Sequence, residues 1–249
     1  GGGASEPPAT IATTTTEVTP PRVDDGVLTI GALIPSGETG IDSALRASFE
    51  RAIDTINEAG GVLGNEVESL IVDEGQSGAT ASQAIEDLVA AGVDAIMGPT
   101  SSNTALGALD VAVANGIVTC SPTATAIALD GFPDDGLFFR SIATDSLQAV
   151  AIAREAQVTG AGSVVIFHVD DAYGRPYSAA VADAIGDDIE VETIAIPVDD
   201  DDLTDELDRL AAVAPQVVVS VGSGEDTASL LQAMGEREDL SVPSIIVND

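Results

Sequence analysis

From Val27 onward the chain alternates short β-branched runs with amphipathic helical stretches, and this rhythm restricts the fold more than any other feature. "VLTIGALIP" (27–35) predicts a strand stopped by proline. Over 42–61, Leu45, Phe49, Ile53 and Ile56 fall at helical spacing, and Gly60-Gly61 ends the helix. "EVESLIVDE" is a strand. "ATASQAIEDLVAAG" is a helix with Ile85, Leu88 and Val89 turned inward. "VDAIMG", "SNTALGALDVAVANG" and "IVTCS" continue as strand, helix and strand. After a short extended passage, "LFFRSIA" (137–143), the same rhythm restarts with "DSLQAVAIAREAQVTG" and runs to "PSIIVND". Strand–helix–strand repetition is the mark of parallel sheets with right-handed crossovers. The expected architecture is therefore α/β, with two successive Rossmann-like lobes. The first spans 27–143 and the second 144–249, and a ligand cleft lies between them.

Residues 1–26, "GGGASEPPATIATTTTEVTPPRVDDG", have no hydrophobic period and read as a disordered tether. They lack the charged and apolar regions of an intact signal peptide. No apolar run approaches the ~18 residues that span a bilayer. Acidic residues number 42 against 8 basic ones, all arginine, for a net charge of −34. Such a surface repels nucleic acid and anionic lipid, because a phosphate backbone needs a basic footprint. Two explanations of the acidity stand: solubility in a protein from a GC-rich genome, or life in salt, where screening removes self-repulsion. The single cysteine, Cys120, and the single histidine, His168, both sit in apolar runs and read as strand residues. One of each makes a catalytic zinc site improbable. No metal and no cofactor is expected.

In open α/β sheets ligands gather where strands end, so the strand-to-helix turns carry the functional signal. "PSGETGID" is glycine-rich but lacks the lysine and spacing of a phosphate-gripping loop. In "IMGPTSSNT" an apolar run stops at Gly98-Pro99, and Ser101 or Ser102 falls near a helix N-cap. That geometry caps a helix, and it equally binds a carboxylate. The next strand ends in "CSPTATA", again with hydroxyls crowding a turn: Ser121, Thr123 and Thr125, with Ala124 between the last two. Two such turns can converge on one polar group. In the second lobe, "VDDAYGRPYS" sets Tyr173 at a strand end before a glycine.

The ordered set "IGALIPSGETG", "AIDTINEAGGVLG", "ASQAIEDLVAAGVDAIMGPTSS", "TCSPTATA", "FFRSIATDS", "VVIFHVDDAYGRP" and "VVVSVGSGEDTASLLQAMGE" resembles the type I periplasmic binding proteins. Within them it is similar to the Leu/Ile/Val-binding, branched-chain amino-acid group of ABC-transporter solute receptors. The resemblance implies roles. Ser102 binds a ligand α-carboxylate. Thr125 assists through its amide, with its hydroxyl near the ammonium. The Thr123 carbonyl accepts from that ammonium, Tyr173 closes over the ligand, and Asp249 stands where an acidic partner for the ammonium falls. This chain departs from the pattern where "SGETGID" lacks an aromatic, and where Ser223 and Gly224 replace one after "VVVSVG". Members also cross back to complete the first lobe, so this chain reads as a fragment with an exposed sheet edge.

Three functional readings follow. The first is a non-enzymatic, extracytoplasmic solute-binding protein that captures an amino acid or similar small carboxylate. Its partner would be an ABC-transporter permease, and it would meet the membrane only through a lipidated cysteine upstream of Gly1. The second is the ligand-sensing domain of a receptor or regulator. The third is an enzyme using the acidic clusters at 170–171 and 199–202; the latter reads better as a solvated helix lead-in.

Overall fold

The computed structural model describes residues 25–37, 40–198, 202–241 and 244–248. Most of the tether expected over 1–26, the acidic positions 199–201 and Asp249 lie outside the described residues.

The first sheet holds β1 (Thr29–Ile34), β2 (Glu68–Asp73), β3 (Ala95–Met97), β4 (Val118–Ser121) and β5 (Phe138–Arg140), in the order β2-β1-β3-β4-β5. Its helices are α1 (Gly40–Glu58), α2 (Gly78–Ala90) and α3 (Ser102–Ala114). The second sheet holds β6 (Ser163–Val169), β7 (Glu190–Ile196), β8 (Val217–Val221) and β9 (Ser244–Val247), in the order β7-β6-β8-β9. With it go α4 (Asp145–Val158), α5 (Gly174–Ile185), α6 (Thr204–Val213) and α7 (Gly224–Gly235). Every strand pairing in both sheets is parallel. The fold is the expected α/β one. One element went unread in the sequence, a 3-10 turn at Ile127–Leu129.

Strand alternation explains why helices cover both faces. Successive side chains point to opposite sides. Ala32 and Ile34 therefore pack with Phe49 and Ile53 of α1, while Leu33 packs with Ile85 and Leu88 of α2. The second sheet repeats the logic. Val164 and Ile166 meet α4 and α5, whereas Val165 and Phe167 meet Leu207, Leu210 and Leu230 of α6 and α7. Both layers are built of aliphatic side chains with few aromatics, as the composition requires. Val89 is only partly buried. His168 is buried in β6, and Cys120 lies in β4.

β5 pairs with β4 at one end of the first sheet, and α4 contributes Ala149, Ile152, Ala153 and Ala156 to the core of the second. Ser141–Thr144 joins the two layers. Several large apolar side chains stay exposed nearby: Phe139 on β5, and Leu147, Val150 and Val158 on α4. Among the described residues no helix is long and apolar enough to cross a membrane.

Candidate ligand site

The strand order sets β3 beside β4, so their two hydroxyl-bearing turns are neighbours. Gly98 opens the first turn at a φ of +109°, and a Cβ there would stand 2.6 Å from the Leu33 carbonyl oxygen. Only glycine satisfies both conditions. Ser101 is the N-cap residue of α3, yet its side chain makes no capping bond. Glu74, just past β2 and wholly buried, organises the turn that precedes the helix, which it reaches although β1 lies between. Its carboxylate accepts from Thr100 N (2.8 Å), Thr100 Oγ1 (2.6 Å), Ser101 N (2.9 Å) and Thr104 Oγ1. A buried carboxylate is tolerable only with such full satisfaction, and the positive end of α3 favours it further.

The Thr100 and Ser101 amides are thus occupied, and Ser102, the first residue of α3, lines the open space. Its Oγ accepts from Thr125 N and Ala126 N, both at 3.1 Å. A hydroxyl with two incoming N–H groups still has its own proton to give. Ser102 is thus pre-oriented as a donor. The same geometry revises the role expected of the Thr125 amide, which points to Ser102 Oγ. The Thr125 Oγ1 makes no hydrogen bond among the described residues and lines the cavity. Arg140 holds this loop from behind, donating to the carbonyls of Thr125 and Ala126 at 3.2 Å each.

Two expected contact residues do not reach the cavity. Ser121 is fully buried; its Oγ donates to Pro99 O (2.6 Å) and accepts from Ala124 N (2.9 Å). Ala124 is likewise buried in the core with Leu109 and Phe138. Ser121 is a staple joining the two turns, and Ala124 is packing. Thr123 also braces the turns, through Oγ1 to Thr100 O (2.6 Å), but remains on the cavity wall.

The opposite wall comes from the second sheet. Val169, Asp171 and Tyr173 follow β6, Gly222, Ser223 and Asp226 follow β8, and Asn248 follows β9. Tyr173 packs against the Ala105–Leu109 cluster of the first lobe while standing edge-on to Tyr177, with ring centroids 5.8 Å apart. Asn248 Nδ2 donates to the Tyr173 hydroxyl at 3.4 Å, and Asn248 Oδ1 accepts from Gly222 N at 3.2 Å. Ser223 caps α7, its Oγ accepting from Asp226 N while Asp226 Oδ2 accepts from Ser223 N. Across the gap, Asn103 Nδ2 donates to Asp171 Oδ2 at 2.9 Å. The other Asp171 oxygen accepts from Tyr173 N and Gly174 N. Its neighbour Asp170 turns away to Arg175, whose guanidinium holds that carboxyl below the usual carboxylate range.

These residues enclose a cavity of about 270 Å³. Ser101, Ser102, Thr123, Thr125, Tyr173 and Ser223 line it; Asp249 lies outside the described residues. The sequence reading passed over Asn103, Asp226 and Asn248, and it weighed Asp171 only for metal chemistry. Asp226 could have been found as the third residue after Ser223 in a capping box. Among the described residues no cluster of three or more His, Cys, Asp or Glu could hold a metal ion.

Residues 27–242 match the family model described as periplasmic binding protein. The chain belongs to that family. It is 30% identical over 222 residues to the chemotactic signal transduction system substrate-binding protein BasB of Halobacterium salinarum, covering 85% of this chain and 54% of that one. It is also 30% identical over 149 residues to the leucine-, isoleucine-, valine-, threonine- and alanine-binding protein of Pseudomonas aeruginosa, covering 57% of this chain and 38% of that one. The branched-chain amino acid transporter substrate-binding protein LivJ of Streptococcus pneumoniae, solved with isoleucine, shares the fold. Its TM-score is 0.74 at 22% identity, over 89% of this chain and 64% of that one. This periplasmic binding protein thus spans about half the length of the curated relatives it matches over most of its own. Its family and structural neighbours are substrate-binding proteins, not enzymes.

Proposed function

We propose that this periplasmic binding protein captures a free α-amino acid, or a close carboxylate analogue, outside the cytoplasm. Ser102 carries the reading. It is a hydroxyl fixed by two amides with its proton left to give, at a helix N-terminus and on the wall of a cavity between two lobes. A carboxylate placed there takes the Ser102 hydroxyl and the first amides of α3. Thr123 lies on the same wall, and its carbonyl, which accepts no hydrogen bond among the described residues, is the acceptor this reading assigns to the ammonium. Tyr173 and Asn248 close the other side. Delivery to an ABC-transporter permease is the role that the transporter-named relatives support.

A second reading is favoured by the Halobacterium relative, whose name assigns it to chemotactic signal transduction. In that case the closed form docks on a sensory receptor instead. Calorimetry against a panel of L-amino acids tests the binding step common to both. Saturable binding with one site is expected, and no binding by any α-amino acid refutes the reading. Pull-down of the liganded protein with candidate permease and receptor subunits then separates the two roles.

A further inference from the structure

The cavity holds about 270 Å³, just under the ~300–1,000 Å³ usual for small-ligand sites. Its second-lobe wall is shut at Gly222. A Cβ added there would stand 3.1 Å from Asp226 Cβ and 3.4 Å from Val169 Cγ2, so no carbon passes between those residues. A ligand side chain that reaches this wall stops there. Among the described residues Val169 is the one aliphatic side chain lining the cavity and Tyr173 the one aromatic. The rest of the lining, Gly222 apart, carries hydroxyl, amide or carboxyl groups.

Three of those groups follow β8 and β9. Ser223 and Asp226 form the capping box of α7, which accounts for their place in the sequence. The box uses only one carboxyl oxygen. Asp226 Oδ2 accepts from Ser223 N and Ser223 Oγ, while Oδ1 accepts no hydrogen bond among the described residues. Asn248 is held at both ends of its amide, accepting from Gly222 N and donating to the Tyr173 hydroxyl. An aliphatic side chain pressed on this wall would strip water from groups that it cannot bond, and each polar group so left is costly. A hydrocarbon pocket rejects an added hydroxyl only weakly, whereas a pocket of polar groups rejects its absence strongly.

We infer that the ligand is an α-amino acid with a short side chain that donates a hydrogen bond, a hydroxyl or a carboxamide. Ser223, Asp226 and Asn248 select it over aliphatic amino acids of the same size. This inference rests on the amino-acid reading above and adds the side chain to it. A ligand carboxyl in place of the carboxamide is disfavoured, because Asp171 and Asp226 line the same space and repel it.

The test is calorimetry on the intact chain with pairs matched in shape: L-threonine against L-valine, and L-asparagine against L-leucine and L-aspartate. L-Threonine is expected to bind at least about tenfold tighter than L-valine, and L-asparagine at least about tenfold tighter than either of its partners. Asn248→Leu makes the wall more apolar and should narrow the gap between L-threonine and L-valine. Asp226→Asn can keep the α7 cap through its remaining oxygen, and should narrow the gap between L-asparagine and L-aspartate. Circular dichroism reports whether each variant is folded. L-Valine binding as tightly as L-threonine, or a selectivity that neither variant alters, overturns this inference and leaves the amino-acid reading standing. Failure of every α-amino acid to bind overturns both.

Discussion

At the level of single residues, the first wall depends on two groups that look alike on paper and do different work. Ser102 faces the ligand space, whereas Glu74 organises the turn from beneath. Ser102→Ala should weaken amino-acid binding about ten- to hundredfold, because one charge-assisted hydrogen bond is worth about 1.5–3 kcal/mol. Calorimetry measures that loss, and the urea midpoint should change little. Glu74→Gln should behave in the opposite sense. An amide has one acceptor oxygen where the carboxylate offered two, so at least one donor among Thr100, Ser101 and Thr104 is orphaned in the interior. A fall of about 1.5–3 kcal/mol in unfolding free energy is expected from denaturant titration. Ser102 was legible from sequence because a hydroxyl after a strand and before a helix is a local pattern. Glu74 was not. It follows a different strand, and its neighbours are known only once the order β2-β1-β3 is known.

At the level of elements, the strands and α-helices among the described residues could be read from the sequence, and the 3-10 turn at Ile127–Leu129 could not, since three residues are too few to write a period into the chain. What could not be read is how elements are tied together. Asp130, just after the 3-10 turn, accepts from Arg140 at the end of β5 and from Thr144 and Ser146 at the start of α4. This knot spans the connection between the lobes. Burial pushes the Asp130 carboxyl up, but the bonds from Ser146, Arg140 and Thr144 outweigh burial and hold it below its ordinary 3.8. A folded value below the unfolded one means the stabilisation is present above that ordinary value and is lost as pH falls through the lower, folded one. Asp130→Asn should therefore cost stability at neutral pH and flatten the acid limb of the stability curve. Thermal melts followed from pH ~7 down to pH ~3 check this, and parallel curves for variant and parent would refute it. The same knot makes Arg140 more than a surface cation, since it also holds the Thr125–Ala126 loop.

Across the whole molecule, charge and cleft set the behaviour. With 42 acidic and 8 basic residues, repulsive pairs outnumber attractive ones, even counting Arg209 with Glu192 and Arg237 with Asp208 and Asp239. Raising salt from about 0.1 M to about 1 M shortens the screening length from roughly 10 Å to roughly 3 Å, and the melting temperature should climb. A melting temperature that is flat or falls with salt would show that the ion pairs dominate. The bond from Asn103 to Asp171 is the described polar link across the cavity. Asn103→Ala should shift the protein towards open forms and lower apparent affinity by the lost closed fraction. Small-angle scattering of the unliganded variant should report a larger radius of gyration, and an unchanged radius would argue against the link. One consequence of the site's construction concerns inheritance. The first wall positions its hydroxyl with the main-chain amides of Thr125 and Ala126, groups that every residue but proline carries. The facing wall at Ser223, Asp226 and Asn248 is made of side chains. Point mutations therefore fall unequally on the two halves. The grip on what all amino acids share survives most substitutions, while the preference among them is open to revision by a single codon.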